Sequence, residues 1–469
     1  MKLQRPTQAE LDCMSHAEKD ALILKLFDVL EDLERRLKAI EEKVEKTSRN
    51  SSKPPSSDGL KKGAAEPRRR GEKASGGQPG HPGVTRSIAD APDVVVELRP
   101  AGGCACGLAL DNQAAALKER RQQIEIPEPK TVVTEYRQMR VRCACGREHV
   151  GAFPPGVAPN VSFGPRLKAY AVGLVQGHFV ALERAAGILG DQYGVRPSGG
   201  TLQNWVGDAA ARLAAEHAAI GAAVARAGVA CFDESGMRVG GTLNWLHVAT
   251  TATAAHYTVH ALRGRGAMDA AGVLPAFQGV AVHDHWKPYW RYGGCAHALC
   301  NAHHLRDLRY CEESTGHFWP AALRRLLVEG KQAVALAQAE GKAALEAAQL
   351  EDLLARYDKQ VEAGLAACPP KPPPPGGNGR AKQDFATNLL LRLRDFKAET
   401  LRFLTDWRVP FDNNAAERMV RPVKVKLKVI GGFRAVGGSD AFCVIRSVWE
   451  TSKLNNGNPF DMLRLAFAA

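Results

Sequence analysis

The chain has 469 residues, with 63 Lys and Arg against 50 Asp and Glu, for a net charge of +13. That length allows about three domains, and that charge favours a polyanionic partner such as nucleic acid. There is no apolar run long enough for a membrane helix and no signal-peptide core in Met1–Pro6. The eleven scattered cysteines argue for a reducing cytoplasm rather than a disulfide framework.

Residues 1–47 are expected to form a coiled-coil helix. Ile23, Leu26, Leu30, Leu33, Leu37, Ile40 and Val44 recur at alternating spacings of three and four, the seam of a two-stranded coil. With Ile23 at a, Arg36 falls at g and Glu41 at the following e, where a parallel partner brings them together. A homo-oligomer is the expectation. The alternative is an amphipathic helix packed on its own chain.

Residues 48–88 lose all apolar periodicity. Asn50–Gly59 and Gly76–Gly83 bracket the basic run Arg68-Arg69-Arg70, the composition of a disordered basic linker. Its arginines either touch DNA phosphates or keep a spacer solvated.

Residues 89–155 read as a small β module, with strands predicted over 94–98 and 130–136. Cys104-Ala105-Cys106-Gly107 and Cys143-Ala144-Cys145-Gly146 are matched half-sites. Four thiolates suit one tetrahedral zinc in a domain too small to be stabilised by burial alone. The spacing is C-x-C in both halves rather than the common C-x-x-C, and four reduced cysteines are the alternative.

Residues 160–222 read as helical. A helix over Leu182–Asp191, a turn at Gly194-Val195-Arg196-Pro197, and a second helix capped by Ser198 or Thr201 make a helix-turn-helix-like, DNA-binding segment. A plain helical hairpin fits equally.

Residues 223–430 change period. Strands are predicted over 229–233, Leu243–Thr250, His256–Leu262 and 279–283, with a helix over about 267–277 before the last. This is a mixed α/β sheet. Alternation puts Asp233 on the face of Val229 and Cys231, with Glu234 opposite. Asp284 likewise follows Val280 and Val282, with His283 and His285 opposed. Both aspartates stand at carboxyl ends of strands, where ligands collect.

A helical insertion is predicted over about 300–405, broken by the proline run Cys368–Gly377. Cys300, His303, His304 and His297 are metal-ligand types, but no partner pair is evident, and helix packing is the simpler reading. Beyond Glu417, Pro422 should end or kink the helix. Val423, Val425, Leu427 and Val429 then alternate with Lys424, Lys426 and Lys428, one apolar face inward and one lysine face outward. The final segment, 431–469, is expected to be helical from about Ser439 to Leu454.

Asp233, Asp284 and Glu417 are the candidate catalytic residues. Two strand-end carboxylates and a third from a later helix can hold two divalent ions, and carboxylate ligands suit Mg²⁺ or Mn²⁺. In a basic chain the natural substrate is a phosphodiester. Glu417 has a second explanation, since with Asn414 as N-cap it would complete a capping box. Ser235 lacks the glycines of a nucleophile elbow, and neither glycine pair near 431–438 is followed by Lys-Ser/Thr.

At these residues the chain resembles bacterial transposases of the insertion sequence 66 family. The resemblance covers nearly the whole chain. It takes in the leucine-rich helix, the Asn50–Gly59 linker, Gly76–Gly83, the paired cysteines, Glu183–Val206 and the blocks around Asp233 and Asp284. It continues through Asn413–Arg418, Arg421-Pro422 and the run from Gly438 to Phe460. It implies an RNase H-like catalytic core with the helical insertion before its last acidic residue. It also implies the triad Asp233, Asp284 and Glu417 on two magnesium ions. Related transposases carry a Cys-x-x-His after the second aspartate, matched here by Cys300 and His303, which is expected to shape the site. The family's small domain has C-x-x-C pairs, from which this chain departs.

The function so implied is binding of transposon ends, cleavage of phosphodiester bonds and joining of the freed 3′-hydroxyl to target DNA by two-metal transesterification. Arg418, Arg421, Lys424, Lys426 and Lys428 would neutralise phosphates beside the site. Expected partners are end and target DNA, a second copy of the chain, and helper proteins of the same element, at the bacterial nucleoid. The alternatives are a DNA-binding regulator with an inactive α/β domain and a two-metal nuclease without strand transfer.

Overall fold

The protein is seen in a computed structural model that describes residues 13–44, 86–100, 102–110, 113–157, 161–372 and 381–468. The predicted linker therefore lies almost entirely outside the described residues. No helix among those described is long and apolar enough to cross a membrane. The chain divides into two compact units, one of Met1–Glu66, Phe153–Leu189 and Arg196–Ala469, the other of Pro67–Ala152 and Gly190–Val195.

The N-terminal helix α1 runs His16–Val44. Ser15 and Glu18 cap it reciprocally, Ser15 N–H donating to Glu18 Oε2 at 2.8 Å and Glu18 N–H to Ser15 Oγ at 3.3 Å. Its seam residues Ile23, Leu26, Leu30, Leu33 and Leu37 are between 43% and 58% exposed.

The small unit contains one two-stranded sheet, β1 (Arg140–Arg142) against β2 (Glu148–Val150), and an isolated bridge between Gly103 and Ala109. The segments 94–98 and 130–136, predicted as strands, are not strands. Each lacks a neighbour to complete a ladder. What does form is a tight turn at each cysteine pair, described below.

The large unit begins with helices. α2 (Pro165–Val172) runs into a π turn at Gly173–Gly177, followed by α3 (Leu182–Tyr193), α4 (Gly199–Arg212) and α5 (Ala214–Ala225). Ser198 caps α4, its Oγ accepting from Thr201 N–H at 3.1 Å. Gly177 is glycine for space, because a Cβ there would lie 2.3 Å from the Trp449 indole.

The sheet follows: β3 (Val229–Val239), β4 (Thr242–Thr250), β5 (Ala255–His260), the short helices α6 (Arg265–Ala270) and α7 (Val273–Ala276), β6 (Val280–His283), a 3₁₀ turn at Lys287–Arg291, and β7 (Ala296–Leu299). Their order is β5-β4-β3-β6-β7. The first three strands are antiparallel, and β6 and β7 join in parallel. Two expectations change. β3 does not stop at Asp233 but continues six residues as a hairpin with β4. The helix predicted over 267–277 is two short helices parted by Gly272, whose φ is +74°.

Residues 301–405 form a helical body: α8 (Asn301–Thr315), α9 (Trp319–Ala339), α10 (Ala347–Ala367), α11 (Phe385–Asp395) and α12 (Lys397–Thr405). It has its own core, including Leu308, Leu323, Leu353, Tyr357, Leu390 and Phe403.

Three helices close the chain: α13 (Asn414–Ile430), α14 (Val436–Leu454) and α15 (Pro459–Ala468). α13 and α14 cover one face of the sheet, where Met237, Leu246, Val248 and Tyr257 meet Val420, Val423 and Phe442. Burying each such side chain contributes about 1.5–3 kcal/mol. The lysine-alternating stretch 423–429 is therefore helix, not strand, and Pro422 sits inside it. Packing on the sheet outweighs the one backbone bond that Pro422 cannot make.

Candidate active site

β3 and β6 run parallel, and the last paired residues are Cys231 and Val282. Asp233 and Asp284 each stand two residues further on. Asp233 continues β3 on the face of Cys231, and Asp284 follows β6, which ends at His283; among the described residues Asp233, Asp284 and Glu417 do not form one ligand group within 4.8 Å. That face holds Cys231, Val280 and Val282 together with Ala416 of α13.

α13 crosses this face. Its inward stripe is Ala416, Val420 and Val423, the 3.6-residue period of a packed helix. Glu417, beside Ala416, thus lies over the aspartate side of the sheet. The helix is capped at Asn413, not Asn414, and the cap makes no side-chain bond to the helix. Instead Asn413 Nδ2 donates to Phe232 O at 2.7 Å. The capping-box account of Glu417 does not apply.

Of the three carboxylates, Asp233 feels the other two. Asp233 is pushed up to about 7, first by burial, then by the charges of Glu234, Asp284 and Glu417. Asp284 Oδ1 accepts from Trp286 N–H at 2.9 Å, and Asp233 Oδ1 from Glu234 N–H at 2.9 Å. Glu417 Oε1 is buried without a hydrogen-bond partner.

Alternation along β3 turns Glu234 away from the face of Asp233. It points to the opposite face, where it holds a buried network. Arg263 Nη2 pairs with its Oε1 at 2.7 Å, and Tyr289 O–H donates to Oε2 at 2.6 Å. The Arg263 guanidinium in turn lies over the rings of Trp245 and Trp286, 4.7 and 4.1 Å from their centres. This network ties the Asp284–Tyr289 loop to β3 and β4. Its signal in the sequence was weak, because Arg263 and Tyr289 lie in separate loops.

Cys300 and His303 open α8. Cys300 is its N-cap, and the sulfur accepts Asn413 N–H at 3.1 Å. His303 Nδ1 lies 3.8 Å from Glu417 Oε1. His297 is not part of this group. It bonds His283, whose Nε2 is 2.9 Å from His297 Nδ1. His304 is buried against Asn301, 3.1 Å away.

The five basic candidates divide. On a helix, Glu417, Arg421, Lys424 and Lys428 are spaced four, three and four and make one ridge. Arg418, Arg421, Lys424 and Lys428 are exposed. Lys426 is 4% exposed. Its Nζ donates to Gln176 Oε1 at 2.7 Å and lies over the rings of Phe179, Phe433 and Phe442. Burial, then the nearby Arg446 charge, lowers it to about 7. A strand would turn all three lysines outward; the helix turns this one in, and it is withdrawn as a phosphate contact.

In the small unit, each cysteine pair forms the same turn. Cys104 N–H donates to Leu108 O and Gly107 N–H to Cys104 O; Cys143 and Arg147, Gly146 and Cys143 repeat this, all at 2.8 Å. Gly107 and Gly146 have φ of +89° and +86°, a conformation open to glycine. Backbone hydrogen bonds from Cys106 and Cys145 hold the Cys104 and Cys143 thiols below their usual value. Among the described residues the four sulfurs are not gathered into one ligand cluster.

A family model described as "Transposase IS66 family" matches residues 160–441, and one described as "Family of unknown function (DUF6444)" matches residues 3–87. No curated protein matches the chain.

Proposed function

The chain belongs to the IS66 family of transposases, and from that premise we propose that Asp233, Asp284 and Glu417 are its catalytic carboxylates. The observation that carries this is the register: two aspartates, each two residues past the last parallel pair, under a helix bearing Glu417. The strand order, three antiparallel strands followed by two parallel ones, supports an RNase H-like core for residues 229–430.

The donor set fits magnesium or manganese. A carboxyl raised first by burial and then by its acidic neighbours marks negative charge in want of a cation. Asp233, Asp284 and Glu417 would hold two such ions. When bound, they would activate water or a 3′-hydroxyl and stabilise the leaving oxygen. Trp286 N–H and the Glu234 network orient Asp284. Arg421, Lys424 and Lys428 bind DNA phosphates along the ridge that begins at Glu417, with the exposed Arg418 beside it. Cleavage frees a 3′-hydroxyl at the transposon end, and that hydroxyl displaces a 3′-oxygen in target DNA. In each step an oxygen nucleophile, water and then the freed 3′-hydroxyl, forms one P–O bond as a 3′-oxygen leaves and takes up a proton, so no ATP is needed.

In this reading one structural zinc would draw the four separate sulfurs of the two cysteine turns together; the matching turn geometry and the lowered Cys104 and Cys143 thiols support it. The exposed seam of α1 supports self-association.

The test is purified protein with end-sequence DNA and Mg²⁺. Asp233→Asn, Asp284→Asn and Glu417→Gln should each abolish cleavage and leave end binding intact. Cleavage at the parent rate by all three overturns the assignment. Cut ends that are never joined to target DNA identify a nuclease instead.

A further inference from the structure

The first residues of α8 gather a second set of ligands around Glu417. Cys300 Sγ, one His303 ring nitrogen and one Glu417 carboxylate oxygen all lie within 4.8 Å of one another. We propose that Cys300, His303 and Glu417 bind one zinc-class divalent ion, separate from the carboxylate-held pair, and that this ion fixes Glu417 by one of its oxygens.

Three observations carry this. The first is spacing. His303 Nδ1 and Glu417 Oε1 are 3.8 Å apart, too far for a hydrogen bond. Ligands on a tetrahedral zinc, with bonds of about 2.0–2.3 Å, stand about 3.3–3.8 Å apart. The second is that both atoms are buried and without hydrogen-bond partners. Such atoms ordinarily find partners, and here they face each other. The third is the sulfur. It is already met by Asn413 N–H, with further backbone bonds from the start of α8. Burial pushes the free Cys300 thiol up to about 11 against these amides, and with a cation beside it the same amides are the usual surroundings of a ligating cysteine.

The donors select the ion. Thiolate and imidazole suit zinc and cobalt and do not suit magnesium. Three protein ligands leave a fourth position open. Cys300 is 1% exposed, but the His303 and Glu417 side chains are 35% and 25% exposed, so an ion has a way in. Cys300 and His303 have no partner pair nearby in the sequence; the fold supplies the third ligand, Glu417, from α13.

The readout is metal binding, so it stands whether or not the proposed DNA reaction does. Full-length protein with Cys104, Cys106, Cys143 and Cys145 changed to Ser removes the other thiol pairs. Titration with Co²⁺ should give a thiolate-to-cobalt charge-transfer band that saturates at one ion per chain. Zn²⁺ should displace it and excess Mg²⁺ should not. Cys300→Ser should abolish the band. His303→Ala and Glu417→Gln should weaken binding at least about tenfold. No band in the parent, a band that survives Cys300→Ser, or displacement by Mg²⁺ overturns the proposal. Should Cys300→Ser not fold, as judged by its melting curve, the partly exposed His303→Ala decides: unchanged affinity refutes the site.

Discussion

Asn413 Nδ2 donates to Phe232 O at 2.7 Å. The residue before Asp233 is thereby held against the start of the helix that carries Glu417, and the two halves of the carboxylate site are set by one side chain.

Asn413→Ala should therefore act on the site before it acts on the fold. An unpaired buried carbonyl costs about 1–3 kcal/mol, which a melting curve will show. Misplacing Glu417 by an ångström should lower the cleavage rate on the order of a hundredfold. End-DNA affinity in a binding assay should not change. Parent rates in a folded variant contradict the tether.

The ridge on α13 makes a distinction among lysines. Arg421→Ala, Lys424→Ala and Lys428→Ala should each reduce the slope of log affinity against log salt by about 0.9. Lys426→Met should leave that slope as it is. Titrations of labelled DNA at several salt concentrations measure both.

Lys426 also predicts a pH dependence. Its folded value is about 7 against an ordinary 10.5. Between those values the unfolded chain binds more protons than the folded one, so stability rises with pH across this window. Below pH 7 the contribution is constant. The parent should gain on Lys426→Met in thermal melts between pH 7 and pH 9, on the order of a few kcal/mol at most. A constant difference between the two melts rejects a depressed Lys426.

Arg263 answers the Glu234 charge, of which 2% of the side chain is exposed. Arg263→Ala should cost about 2–3 kcal/mol, less than a fully buried pair because Arg263 is 39% exposed. Glu234→Gln in the same chain should recover much of this. Chemical denaturation of the two variants and their double tests the coupling.

The seam of α1 predicts assembly. Leu26→Asp with Leu33→Asp places charge on two exposed seam positions and should reduce the oligomer to a monomer in light scattering. An unchanged mass rejects the coiled coil as the contact.

The sheet was legible where burial imposes an unambiguous pattern. Val229–Phe232 and Val280–His283 are short apolar runs ending in aspartate, and they are the paired inner strands. β7 was missed because Ala296-His297-Ala298-Leu299 is four residues with little strand character. The run Val423–Val429 misled for a different reason. Its apolar and charged residues alternate in twos, yet the element is chosen by what it packs on, and α13 buries Val423 and Lys426 while exposing Val425 and Val429. Tertiary contact overrode a local pattern. The aspartates could be found from their strands. The approach of Cys300 and His303 to Glu417 could not, because it exists only once α8 and α13 meet.

Asn301 N–H donates to Phe411 O at 3.1 Å, so the chain leaves the sheet and returns to it at almost the same point. The hundred or so residues between carry a core of their own. A detour closed at its neck can change length cheaply, each doubling costing only about 0.6 kcal/mol in closure entropy. The helical body is thus an exchangeable cassette: a differently sized bundle grafted between the same two ends would leave the spacing of the three carboxylates untouched.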